Sequence, residues 1–217
     1  MRWRAHAGLM LKARKASVRM VLQWTQRTLF AGAILMLGYC GFVLLDIWRF
    51  QHQERQNLER LLDEERQAQA VSSASPVAVR SLAPIIGPDG LIGRMEVPRL
   101  SLSVIVIEGT DKPTLRRAAG HIVGTGLPGR PGNIGIAAHR DTFFRPLRNI
   151  RLEDVITLTT LRGEYRYRVV STKVVSPESV EVLKPDGNEI LTLVTCYPFY
   201  FVGPAPNRFI VRAERVT

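Results

Sequence analysis

Cysteine and histidine, the residues most often recruited for chemistry, are scarce here: two of the first and four of the second in 217 residues. Cys40 lies inside an apolar block and Cys196 in the distal part of the chain, so no disulfide framework can staple the fold. No cysteine and histidine cluster has zinc spacing, and no metal or other cofactor is expected. Acidic residues are outnumbered 19 to 30, for a formal charge of +11. Such an excess would point to nucleic acid if it lay on a folded domain. Instead Arg2, Arg4, Lys12, Arg14, Lys15, Arg19 and Arg27 crowd the first residues with no acidic partner, and from Leu91 onward the chain is only mildly basic. Nucleic acid is therefore not an expected partner.

Long apolar runs are also few, with one exception. Residues 28–45 contain no charge, and with Ile47 and Trp48 the run approaches the roughly 20 residues that cross a bilayer core. Trp24 and Trp48 flank it, as interfacial aromatics do. The alternatives are a buried core helix or a cleaved signal. A cleaved signal has a shorter apolar region with small residues at the cut, whereas Phe50, Gln51, His52 and Gln53 follow here. The expectation is a single-pass anchor over 28–48 in the cell membrane, a basic cytoplasmic tail over 1–27, and everything later outside. Residues 49–70 are rich in helix formers and read as a helical stalk. Leu58, Leu61 and Leu62 make a short stripe on it, either solvated or self-associating. Serine, proline and glycine mark 71–90 as a linker, which leaves 91–217 as the folded domain.

That domain lacks any long helical pattern. Strands are expected over 91–97, 102–108, 133–138, 155–160, 164–175, 190–195 and 208–213, with helical turns over 114–119 and 179–183. Tyr165, Tyr167 and Val169 alternate with Arg166 and Arg168, the mark of a half-exposed strand. Seven or eight short strands without a long helix imply a mostly β domain, a closed barrel or a sandwich.

With so few reactive residues, the candidate chemistry is quickly located. Thr192-Leu193-Val194-Thr195-Cys196-Tyr197-Pro198 is a buried strand with a thiol near its end. A lone cysteine there is either core filler or a reactive thiol. His139 ends the apolar run 135–138 in the same manner, and an imidazole is what a thiol needs for activation or proton transfer. Arg208 opens the last strand, where a fixed cation can stabilise an oxyanion or hold a carbonyl. His6 and His52 fall outside the folded domain, and His121 reads as structural or supporting. Two motifs mislead. Gly124-Thr125-Gly126-Leu127-Pro128-Gly129 matches a dinucleotide fingerprint, but Pro128, Pro131 and Gly132 forbid the helix that must follow. His139-Arg140-Asp141 imitates a kinase catalytic loop without its later asparagine or its DFG triplet.

Thr192 to Phe199, Asn207-Arg208-Phe209-Ile210-Val211, and Gly129-Arg130-Pro131-Gly132-Asn133 leading to Ala137-Ala138-His139-Arg140-Asp141-Thr142-Phe143-Phe144 resemble the motifs of sortases, most similar to the class D type. The resemblance covers roughly Leu91 to the end. It implies an eight-stranded sortase β-barrel and a cysteine transpeptidase acting on proteins with C-terminal LPxTG-like sorting signals. Cys196 would form a thioacyl intermediate, His139 would move protons, Arg208 would stabilise the oxyanion, and Thr195 would support the site. An amine acceptor, a cell-wall peptide or a pilin-type lysine, would resolve the intermediate. No calcium site is carried over. The alternatives are a thiol hydrolase or peptidase using the same Cys-His pair, and a non-catalytic envelope scaffold.

Overall fold

The computed structural model describes residues 3–71, 86–185, 187–201 and 203–216. Residues 72–85 of the expected linker lie outside the described residues. The chain divides into two compact units, Met1–Asp46 and Ile47–Thr217. Helix α1 (Trp3–Val71) includes the residues of the expected anchor and helical stalk. No proline interrupts it, and Gln, Glu, Arg, Leu and Ala sustain it beyond the apolar run. Within α1 the stretch Arg19–Glu64 contains a window long and apolar enough to cross a membrane, and none of that window is buried in the protein. Leu29, Phe30, Ile34, Leu35, Met36 and Leu37 are all more than half exposed, a density of bare apolar surface foreign to water-facing helices.

Eight strands follow: β1 (Leu91–Val97), β2 (Leu102–Glu108), β3 (Ala119–His121), β4 (Gly132–Ala137), β5 (Val155–Thr160), β6 (Gly163–Val175), β7 (Glu189–Tyr197) and β8 (Asn207–Arg215). They close into a barrel in the order β1-β2-β3-β4-β7-β8-β6-β5, which decides between barrel and sandwich. The β2–β3 and β4–β7 ladders are parallel, and the others are antiparallel. Closure between β1 and β5 depends on Gly93, where an added Cβ would lie 2.1 Å from the Thr159 carbonyl oxygen. Alternate residues fill the interior, among them Met95, Val104, Ile134, Ile136, Leu158, Tyr167, Leu191, Leu193 and Val211.

Seven strands match the expected ones to within about two residues at each end, and the expected helical turns stand as α2 (Lys112–Arg117) and a 3-10 turn, Val180–Leu183. Asp111 caps α2 by accepting from the Thr114 amide at 2.8 Å. Strand β3 is the addition. Three residues with a central glycine carry no readable alternation.

Because β3 is so short, it pairs only with Val106, Ile107 and Glu108 of β2. The amide of Ile105, just beyond, is satisfied from α1: it donates to Gln51 Oε1 at 3.0 Å, while Gln51 Nε2 donates to the Arg117 carbonyl at 2.7 Å. One side-chain amide thus caps an open stretch of strand edge. Down the same helix face, Arg55 donates to Ser103 Oγ and Glu59 pairs with Arg94 at 3.3 Å. Leu58 is fully buried with Leu91, Ile105 and Leu161, and Leu61 and Leu62 pack alongside. Spacings of four, three and one between positions 51, 55, 58 and 59 define one helical face. The leucine stripe therefore faces the barrel, not solvent. Leu58→Ala is expected to destabilise the barrel by roughly 3 kcal/mol, the usual cost of such a truncation in a closed core, measured as a shift in its chemical unfolding midpoint.

Arg99 closes the opposite turn. Its Nε and Nη2 donate to the Asp154 carboxylate, and Nη2 also donates to the Asn149 carbonyl at 2.6 Å. The Arg151 amide adds a third donor to Asp154 at 2.8 Å. Hydrogen bonding to Arg99 holds the Asp154 carboxyl below its ordinary value of 3.8, against the opposing effect of its burial. A lowered folded-state value contributes stability that is present above the unfolded value and lost as pH falls through the folded one. The wild type is therefore expected to exceed Asp154→Asn in stability at neutral pH. The gap should narrow below about pH 3.8, as read from paired unfolding curves.

Candidate active site

Parallel pairing of β4 and β7 aligns Gly132 with Glu189 and runs to Ala137 with Val194. It continues past the end of β4: the Ala138 amide donates to the Val194 carbonyl at 3.3 Å, and Thr195 Oγ1 donates to the Ala138 carbonyl at 2.8 Å. Two residues beyond Ala137 on one strand is His139, and two beyond Val194 on the other is Cys196. Across the other edge of β7, Cys196 is the direct antiparallel partner of Arg208. The fold thus brings the three candidate residues to one end of three adjacent strands.

The pleat decides which way they face. Ile134, Ile136 and Ala138 of the first strand, Leu191 and Leu193 of the second, and Phe209, Val211 and Ala213 of the third belong to the interior. Cys196, His139 and Arg208 occupy the alternate positions, on the face opposite the core. Cys196 and Arg208 are half-buried and His139 is exposed. Cys196 and Cys40 are both free thiols. Arg208 Nη1 donates to the carbonyls of Asn207 at 3.1 Å and Ala205 at 3.3 Å. Glu178 lies within its field. That carboxyl is held below its ordinary range chiefly by a hydrogen bond from Ser176 Oγ at 2.7 Å, with the Arg208 charge as a further cause.

Connecting segments wall this outer face. Thr192 Oγ1 donates to Asn133 Oδ1 at 2.6 Å, and Asn133 Nδ2 donates to the Val182 and Lys184 carbonyls at 2.9 and 3.3 Å. These bonds fasten the β6–β7 connection across β4 and β7. Gly135 makes room for it, since an added Cβ would lie 3.1 Å from both Leu183 Cδ2 and Ile122 Cδ1. His121 is a scaffold residue, 1% exposed. Its Nδ1 lies 2.7 Å from Glu108 Oε2, and Nε2 lies 2.8 Å from the Gly126 carbonyl and 3.1 Å from Thr125 Oγ1. The false dinucleotide motif is part of this loop, which runs into β4 without a helix. Among the described residues no group of three or more His, Cys, Asp or Glu side chains is disposed to hold a metal.

Sequence reasoning singled out Cys196, His139, Arg208 and Thr195 as candidates and assigned no role to Asn133, Thr192 or Arg140. Asn133 carried a signal, an amide inside an apolar strand, where a buried polar group needs partners. Thr195 is 2% exposed, and its hydroxyl ties the cysteine strand to the residue before His139. Thr195→Val keeps the shape and deletes the donor. It is expected to cost about 1–3 kcal/mol, the range for leaving a buried acceptor without its partner, and a thermal unfolding comparison checks it.

Comparison with known proteins agrees with this architecture. The sortase domain family model matches residues 95–216. Sortase D of Bacillus subtilis (strain 168) is 30% identical over 192 residues, covering 87% of this chain and 96% of that protein. Among solved structures, sortase A from Corynebacterium diphtheriae superposes with a TM-score of 0.57 at 27% identity, covering 74% of this chain and 84% of that one. A Clostridium perfringens sortase D5 transpeptidase gives 0.57 at 25% identity, covering 74% and 98%. A family match over more than half of the chain, together with a closed eight-stranded barrel, establishes that this protein belongs to the sortase family of cysteine transpeptidases.

Proposed function

We propose that this chain is a membrane-anchored, class D-like sortase that cleaves an LPxTG-like sorting signal and transfers the acyl part to an amine. The observation that carries the reading is the cross-strand pairing of Cys196 with Arg208, with the parallel β4–β7 register delivering His139 to the same strand ends. A free thiol is only a few per cent ionised at neutral pH, so a positioned base is needed for brisk acyl transfer. In this reading Cys196 Sγ attacks the carbonyl carbon of the threonine in the signal. The tetrahedral oxyanion is met by the Arg208 guanidinium, whose charge is permanent. As the C–N bond breaks, His139 protonates the departing amine and a thioester remains on Cys196. The incoming amine then loses a proton to His139 and attacks the thioester, which restores the thiol. Thr195 supports the geometry by joining the two strands.

Residues 28–48 act as the anchor in this proposal. The arginine and lysine excess before them keeps the amino end cytoplasmic and the barrel outside. Substrates are exported proteins carrying the signal. The acceptor is a cell-wall peptide or a pilin-type lysine, and the class D assignment follows the likeness to the Bacillus subtilis relative.

The test is a reaction of the full chain in detergent with a sorting-signal peptide and an amine such as triglycine, followed by mass spectrometry. Amine-dependent ligation is the expected product. Cys196→Ala should lower turnover by about a thousandfold or more, as loss of a nucleophile does in comparable enzymes. Cleavage to the free acid alone, indifferent to amine, would identify a hydrolase instead. Turnover that survives Cys196→Ala would sink the catalytic assignment.

A further inference from the structure

Arg140 follows His139 directly, and its guanidinium is committed to a different part of the chain. Nη1 donates to the Pro198 carbonyl at 2.9 Å. Nη2 donates to the carbonyls of Phe201 at 2.7 Å and Gly203 at 2.9 Å. The Phe201 ring centroid lies 5.8 Å from the guanidinium carbon. All four contacts fall on segment 198–206, which leads from Cys196 on β7 to Arg208 on β8.

That segment has little of its own to hold it. Its described residues form no helix or strand, and Pro198, Pro204 and Pro206 carry no amide donor. Its backbone hydrogen bond among the described residues, from the Phe201 amide to the Pro198 carbonyl, is long at 3.4 Å. Phe199 is seated by Tyr197 and Phe209, at centroid distances of 6.1 and 5.4 Å. The stretch after it, with Tyr200 76% exposed and Phe201 46% exposed, is held chiefly by Arg140, beside Arg148 over the Tyr200 ring at 5.4 Å and Arg208 on the Ala205 carbonyl. A planar, permanently charged fork suits several carbonyls presented at once, and a lysine would serve them only as a point charge.

We propose that Arg140 is a positioning residue for the transfer reaction, fixing segment 198–206 and thereby the placement of Cys196 and Arg208 relative to His139. The proposal rests on the roles given to those three residues above. Arg140 has its guanidinium engaged by backbone carbonyls and the Phe201 ring. It acts because one residue joins two things the chemistry needs in register: its backbone continues from His139, and its side chain holds the turn between thiol and cation. A displacement of about 1 Å in such an arrangement lowers a rate by about a hundredfold.

The test compares Arg140→Gln and Arg140→Lys with wild type, all as full chains in detergent. The readouts are hydrogen exchange of the 199–203 amides and the kinetics of amine-dependent ligation. Arg140→Gln is expected to speed exchange in that segment and leave the barrel strands protected. It should lower kcat by about ten- to a hundredfold while KM moves by less than about threefold. Arg140→Lys should recover part of both losses. Unchanged exchange, an unchanged kcat, or equal loss of protection throughout the barrel would each overturn the proposal. Cys196→Ala in the same assay separates this from the underlying reading. If wild-type turnover does not depend on Cys196, the transpeptidase roles fail and the positioning role fails with them. If it does depend on Cys196 and Arg140→Gln alone is silent, only the Arg140 proposal falls.

Discussion

Everything at the site depends on β7 being paired along both edges, parallel to β4 and antiparallel to β8. A single edge would allow the strand to slip, and a slip of one residue would turn Cys196 from the outer face into the core. Two ladders with different hydrogen-bond patterns remove that freedom. The apolar residues alternating along all three strands make any other register expose the core. The strand register that carries the thiol, and the face it occupies, are thus consequences of barrel packing.

The same chain uses arginine as a fastener for irregular backbone. Arg99 grips the Asn149 carbonyl and Asp154, and Arg140 grips three carbonyls of segment 198–206. Loops outside a barrel cannot bury enough apolar surface to order themselves, and a multi-donor cation offers another route. Much of the basic excess beyond Leu91 therefore has a structural use. Gln51 plays a comparable part on the opposite side, giving an α1 side chain the work of a missing strand.

The period-two pattern was legible because the strands bury one face, and turn residues made their ends legible too. The apolar run of α1 was equally plain. What escaped was whatever depends on distant partners. Strand β3 is too short to show a period, and the burial of Leu58 requires β1 and β2 to be in place. At the candidate site, Cys196 and His139 stood out as scarce residue types at strand ends, and Arg208 as a cation opening the last strand. Arg140 did not, because nothing local distinguishes a guanidinium aimed at carbonyls 58 to 63 residues away from one aimed at water. Asn133 showed as an amide inside an apolar strand, but its bond to Thr192 was hidden because it exists only once β4 and β7 lie side by side.

The central place of β7 also sets an order of events for a newly made chain. Strand β4 is synthesised early, but its parallel neighbour comes more than fifty residues later, after β5 and β6. Closing so long a loop is entropically unfavourable until other contacts offset it, and contacts of this separation form late in folding. Until β7 inserts between β4 and β8, the histidine has no thiol beside it and the thiol has no arginine across from it. The juxtaposition of the three strand ends therefore requires both ladders of β7, one of them across a long stretch of chain.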